Sequence, residues 1–168
     1  MQTLILPGFS SKNKSWAEEV KDVLALTNPT MVVNWSHWET GETAPDWMNQ
    51  EINKITQLIQ DKPVNLLAKS IGTLIAMMVI EKKPTLVNKI ILCGIPVQDF
   101  HSGDEKQYEI LKTFPSDKII CFQNESDNHG SYYEVEKFLH TINPAIKVIS
   151  KPRSDHEYPY AEEFAGFL

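Results

Sequence analysis

Ser70, Asp127 and His156 are the residues of this chain whose types and order could carry out acyl transfer. Ser70 lies in "VNLLAKSIGTLIAMM", residues 64–78, where one apolar run gives way to another with almost no loop between them. A serine hydroxyl is a weak nucleophile until a base accepts its proton. Five histidines are available, His37, His101, His129, His140 and His156. His156, in "SKPRSDHEYP", follows the last apolar run directly, and a loop there reaches the same end of a parallel sheet as Ser70. His140 falls inside a helical segment, and His101 and His129 come too early to leave an acid before the base. The acid is sought after the preceding run, in "KIICFQNESDNHGS". Asp127 is the choice, with Glu125 and Asp99 as rivals. Asp155 adjoins His156, but a carboxylate rarely turns toward the very next imidazole. Each residue also has a plainer use: Ser70 as a helix cap, Asp127 as a turn residue, His156 as a surface side chain.

A sharp strand-to-helix turn needs small neighbours, and Ala68 and Gly72 flank Ser70 two positions away on either side. The loop "LPGFSS" after the first run supplies a second ingredient. Gly8 lets the backbone turn tightly, so that the amide of Phe9 can join that of Ile71 as a pair of donors to a developing oxyanion.

These residues need elements to hold them at one edge. Six short apolar runs qualify as strands: Thr3–Leu6, Met31–Asn34, Asn65–Lys69, Lys89–Cys93, Lys118–Phe122 and Lys147–Ser150. Most show little alternation, as expected of parallel strands covered on both faces. Helical periodicity fills the gaps over Lys14–Leu26, Asp46–Gln60, Ile71–Lys83, Glu105–Thr113, Tyr132–Thr141 and Ala161–Phe167. Regular strand–helix alternation predicts one α/β domain over residues 1–168. Its sheet is mainly parallel and six-stranded, in the order 2-1-3-4-5-6, with helices on both faces. The switch point then lies between the first and third strands, where the loops after Leu6 and Lys69 meet.

Composition narrows the partners. A net charge of −6 and the lack of any lysine or arginine cluster argue against nucleic acid or an anionic membrane. The start "MQTLILPGF" lacks the basic and long apolar regions of a signal peptide, and the two cysteines, Cys93 and Cys121, read as buried thiols. Both features point to the cytoplasm. Neither G-x-G-x-x-G nor a P-loop pattern is present, which disfavours a nucleotide-binding domain.

Together "LILPGFSS", "LLAKSIGT", "CFQNESDNHGS" and "SDHEY" resemble the α/β-hydrolase superfamily over nearly the whole chain. The short length and "GFSSKNKSW" are similar to the small serine hydrolases related to retinoblastoma-binding protein 9 and the bacterial YdeN type. The resemblance implies Ser70 as nucleophile, Asp127 as acid, His156 as general base, and Phe9 and Ile71 as oxyanion-hole amides. It implies hydrolysis of a small ester or thioester without metal or organic cofactor, the alternative being a non-catalytic binding protein of the same fold. Pro7 stands where the family often has histidine, and Ala68 where it often has glycine. Only about 24 residues separate Cys93 from Lys118, too few for a large lid. Trp35, His37 and Trp38 are expected to line a substrate pocket, with Phe100 and His101 beside them. Lys69 is expected to point into solvent rather than to an anionic substrate.

Overall fold

Along each central strand, consecutive side chains enter two different halves of the core. Leu4 and Leu6, Leu66 and Ala68, Ile90 and Leu92, and Ile119 and Cys121 join one apolar cluster. Ile5, Leu67, Ile91, Cys93, Ile120 and Phe122 join the other. Covering both faces removes any need for polar alternation, which is why these strands read as unbroken apolar runs. The computed structural model describes residues 1–168. Its strands are β1 (Gln2–Leu6), β2 (Thr30–Val32), β3 (Val64–Lys69), β4 (Val87–Cys93), β5 (Ile119–Asn124) and β6 (Lys147–Lys151). They form one parallel sheet in the order β2-β1-β3-β4-β5-β6, as expected.

The helices are α1 (Asn13–Leu24), α2 (His37–Thr40), α3 (Trp47–Ile59), α4 (Ile71–Lys82), α5 (Asp104–Gln107), α6 (Tyr132–Ile142) and α7 (Ala161–Phe167). Residues of α3, α4 and α6 pack into the larger cluster. Those of α1 and α7 pack into the smaller one on the opposite face. The central α4 buries eight of its residues, from Gly72 to Ile80, because helices and sheet surround it. A reciprocal capping box starts α6: Ser131 accepts from the Glu134 amide, and the Glu134 side chain accepts from the Ser131 amide.

Two elements depart from expectation. The helix expected over Glu105–Thr113 divides into α5 and a 3-10 helix, Tyr108–Lys112. In that tighter coil residues three apart share a face, and Tyr108 and Leu111 both enter the core. The residues after β2, to which the sequence pattern assigns no element, form the short α2. No large insertion covers the sheet edge: between β4 and β5 lie only α5 and short 3-10 turns. No helix is long and apolar enough to cross a membrane.

Candidate active site

Ser70 is forced into an unusual backbone geometry by the elements on either side. Its φ is +56° and its ψ is −125°, in a region that costs a non-glycine residue about 1–3 kcal/mol. The ladder of β3 and β4 runs one step past the strand, with the Ser70 amide donating to the Cys93 carbonyl at 3.0 Å. The helix begins at the next residue, and the Thr73 amide donates to the Ser70 carbonyl at 2.9 Å. Gly72 explains why the turn can be so tight. A Cβ there would sit 2.1 Å from the Leu6 carbonyl oxygen and 2.9 Å from that of Pro7. The elbow thus presses directly on the end of β1, and the loop after β1 stands beside Ser70.

Parallel strands deliver the other two residues to the same edge, Asp127 just beyond β5 and His156 beyond β6. His156 donates from Nδ1 to Asp127 Oδ2 at 2.7 Å. The same oxygen accepts from the hydroxyl of Tyr158 at 2.6 Å, and Asp127 Oδ1 accepts from the His129 amide at 2.9 Å. Asp127 is only 2% exposed. Burial alone would raise its pKa, but the donations from His156, Tyr158 and His129 outweigh that and hold the carboxyl below its ordinary value. An ionised, acceptor-only carboxylate fixes the proton of the neutral imidazole on Nδ1. Nε2 is left as the acceptor, buried and without a partner. Of the acids weighed from sequence, Asp127 is the one bonded to His156. Asp99 pairs with His129, Glu125 accepts from the Ser150 hydroxyl, and Asp155 is held by Arg153.

Ser70 and His156 line one cavity of about 500 Å³, together with Phe9, Trp47, Met48, Ile71, Leu74 and Phe100. The amides of Phe9 and Ile71 donate to no protein acceptor. His101 also reaches the cavity, as expected of it.

Trp35, His37 and Trp38 do not line it, contrary to expectation. They hold the loop after β1 from behind. Trp35 is fully buried and donates its indole N–H to the Pro7 and Gly8 carbonyls at 3.2 and 3.1 Å. His37 Nε2 and Trp38 Nε1 both donate to the Phe9 carbonyl at 2.7 Å. The His37 ring also stacks on Phe9 at 4.2 Å. His37 and Trp38, on the one-turn helix α2, and Trp35 just ahead of it all face back onto the loop, leaving Trp47 and Met48 of α3 to form the wall.

Lys69 is likewise not in solvent but 1% exposed. Its ammonium donates to Asn13 Oδ1 at 2.8 Å and to Glu157 Oε2 at 3.4 Å, and lies 5.0 Å from the centre of the Trp16 ring. Asn13 in turn donates to the Ser10 carbonyl at 2.9 Å. One buried cation therefore ties the loop after β1 to the loop that carries His156.

Sequence reasoning missed Tyr158, Asn13 and the Asp99–His129 pair. Tyr158 lies two residues past His156, a spacing that could have flagged it; nothing local marks the others. No group of three or more His, Cys, Asp or Glu side chains is placed to hold a metal ion.

A family model described as alpha/beta hydrolase fold matches residues 4–118. Among curated proteins, none matches the chain by sequence. Solved structures share the fold at low identity. XC6422 from Xanthomonas campestris, described as an a/b serine hydrolase without lid, has a TM-score of 0.74 at 12% identity, covering 98% of this chain and 77% of that one. The thioesterase domain from the curacin biosynthetic pathway has a TM-score of 0.72 at 12% identity, over 98% and 89% of the two chains. Mouse alpha/beta hydrolase domain-containing protein 10 has a TM-score of 0.68 at 13% identity, over 98% and 86%.

Proposed function

The chain belongs to the α/β-hydrolase fold family, and from that premise we propose that it is a serine hydrolase cleaving a small carboxylic ester or thioester. Ser70 attacks the carbonyl carbon while His156 Nε2 accepts its proton. Asp127 holds the imidazole in the required tautomer and offsets the charge that forms. The amides of Phe9 and Ile71 donate to the tetrahedral oxyanion, a contribution of about 3 kcal/mol per donor where such donors have been removed. His156 then passes its proton to the leaving group, and water releases the acyl group from Ser70 by the reverse path.

One observation carries this reading. His156 is fixed through Nδ1 by a buried carboxylate, and its Nε2 is left unpartnered in a residue that shares a cavity with Ser70. An orphaned buried ring nitrogen is costly unless it has work to do. The free thiols are poor rivals as nucleophile: burial pushes Cys93 up to about 12. Both cysteines are buried and unbridged, which suits the reducing cytoplasm.

The test is hydrolysis of short p-nitrophenyl esters by wild type and Ser70→Ala, with circular dichroism to show that both fold. The variant should lose turnover to background. Equal turnover in a folded Ser70→Ala protein would reject the nucleophile.

A further inference from the structure

Beside the Asp127–His156 pair stands a second imidazole–carboxylate pair that the mechanism does not use. His129 donates from Nδ1 to Asp99 Oδ2 at 2.5 Å, and its ring centre lies 4.4 Å from that of His156. Both residues line the cavity.

This pair is built into the fold. The Gln98 amide donates to the His129 carbonyl at 3.0 Å. The fully buried Gln123 accepts from the Ile95 amide at 3.0 Å and donates to the Gly130 carbonyl at 2.6 Å, fastening the two loops together. They pack so closely that a Cβ on Gly130 would lie 2.8 Å from the Ile95 carbonyl oxygen. With Asp99 accepting at Nδ1, the Nε2 of the neutral His129 is a fixed hydrogen-bond acceptor facing no protein donor.

Position says what it meets. When the C–O bond to the leaving group breaks, His156 must hand its proton to the departing oxygen, so that group lies beside His156. It therefore lies beside His129 as well. We propose that the Asp99–His129 pair recognises the leaving group, and that the substrate is an ester of a polyol, whose second hydroxyl donates to His129 Nε2. The proposal rests on the hydrolase reading above. The apolar side chains of Trp47, Met48 and Leu74 form a wall of the cavity that suits an apolar acyl group.

The test compares kcat/KM for the 2-hydroxyethyl and 2-methoxyethyl esters of one short apolar acid at about pH 8, above the ordinary histidine range. The two alcohols exert a similar inductive pull and differ in the ability to donate. Wild type should prefer the hydroxyethyl ester by about fivefold to tenfold, as one neutral hydrogen bond allows. His129→Leu keeps the backbone amide that serves Asp127 and should bring the ratio near one. Asp99→Asn, which removes the charge fixing the tautomer, should lower the ratio too and serves if the first variant fails to fold. A wild-type ratio near one, or a ratio unmoved in the folded variants, overturns the proposal. So does failure to cleave either ester while p-nitrophenyl esters are turned over. Loss of all ester hydrolysis would instead defeat the hydrolase reading, and this inference with it.

Discussion

Tyr158→Phe removes a single hydroxyl, and its cost can be worked from the contacts. The hydroxyl is fully buried, donates to Asp127 Oδ2 at 2.6 Å and accepts from the Asn124 amide at 3.3 Å. A hydrogen bond to a charged group contributes about 1.5–3 kcal/mol, so the variant should lose about 2 kcal/mol at neutral pH. The pH dependence is more telling than the size. Burial pushes the Asp127 carboxyl up, and the donations from His156, Tyr158 and the His129 amide more than reverse it, so it titrates below its ordinary 3.8. A carboxylate whose folded pKa is depressed stabilises the fold above its unfolded pKa, and that contribution is lost as pH falls through the folded value. The deficit of the variant should be full above about pH 5 and shrink toward the ~1 kcal/mol of a neutral hydrogen bond once Asp127 is protonated. Urea unfolding of both proteins at a series of pH values, from about pH 7 down to the lowest pH at which both still fold, reads this directly. A neutral-pH deficit below about 0.5 kcal/mol, or one independent of pH, would refute the reasoning.

Other substitutions probe the supports of the site. Gly72→Ala drives a Cβ into the Leu6 and Pro7 carbonyls; it should cost about 1–3 kcal/mol or more in urea unfolding and lower kcat by about 100-fold, because the loop bearing the Phe9 amide must retreat. Lys69→Met should leave stability within about 1 kcal/mol, since the freed Glu157 carboxylate is well exposed, yet cut kcat about tenfold with little change in KM as Asn13 loses its anchor. His37→Phe keeps the stack on Phe9 but removes one of two donors to its carbonyl; steady-state kinetics should show kcat down by about threefold to tenfold.

Strand order and the elbow were legible because they rest on local patterns. Leu66–Ala68 is a short apolar run two residues ahead of Ser70, and Ala68 and Gly72 mark the tight turn on either side. Order along the chain placed Asp127 and His156 after successive strands, and parallel pairing brought both to one edge. What failed depends on side-chain direction, which no pattern in one sequence encodes. Trp35, His37 and Trp38 follow the second strand as expected, but their side chains turn onto the carbonyls of Pro7, Gly8 and Phe9. The sequence around Lys69 suggests a surface lysine, yet as the last residue of β3 its side chain falls on the face covered by α1, where Trp16 and Asn13 enclose it. The Asp99–His129 bond joins residues 30 positions apart through two loops, so it was invisible until the loops were placed.

The central claim is that His156 and Asp127 activate the hydroxyl of Ser70. Incubation with a fluorophosphonate probe, followed by intact and peptide mass spectrometry, tests it most directly. A single adduct should form on the peptide containing Ser70, should be absent in Ser70→Ala, and should form far more slowly in His156→Ala. No adduct on the folded wild type, an adduct on another residue, or a labelling rate unchanged in His156→Ala would contradict the account.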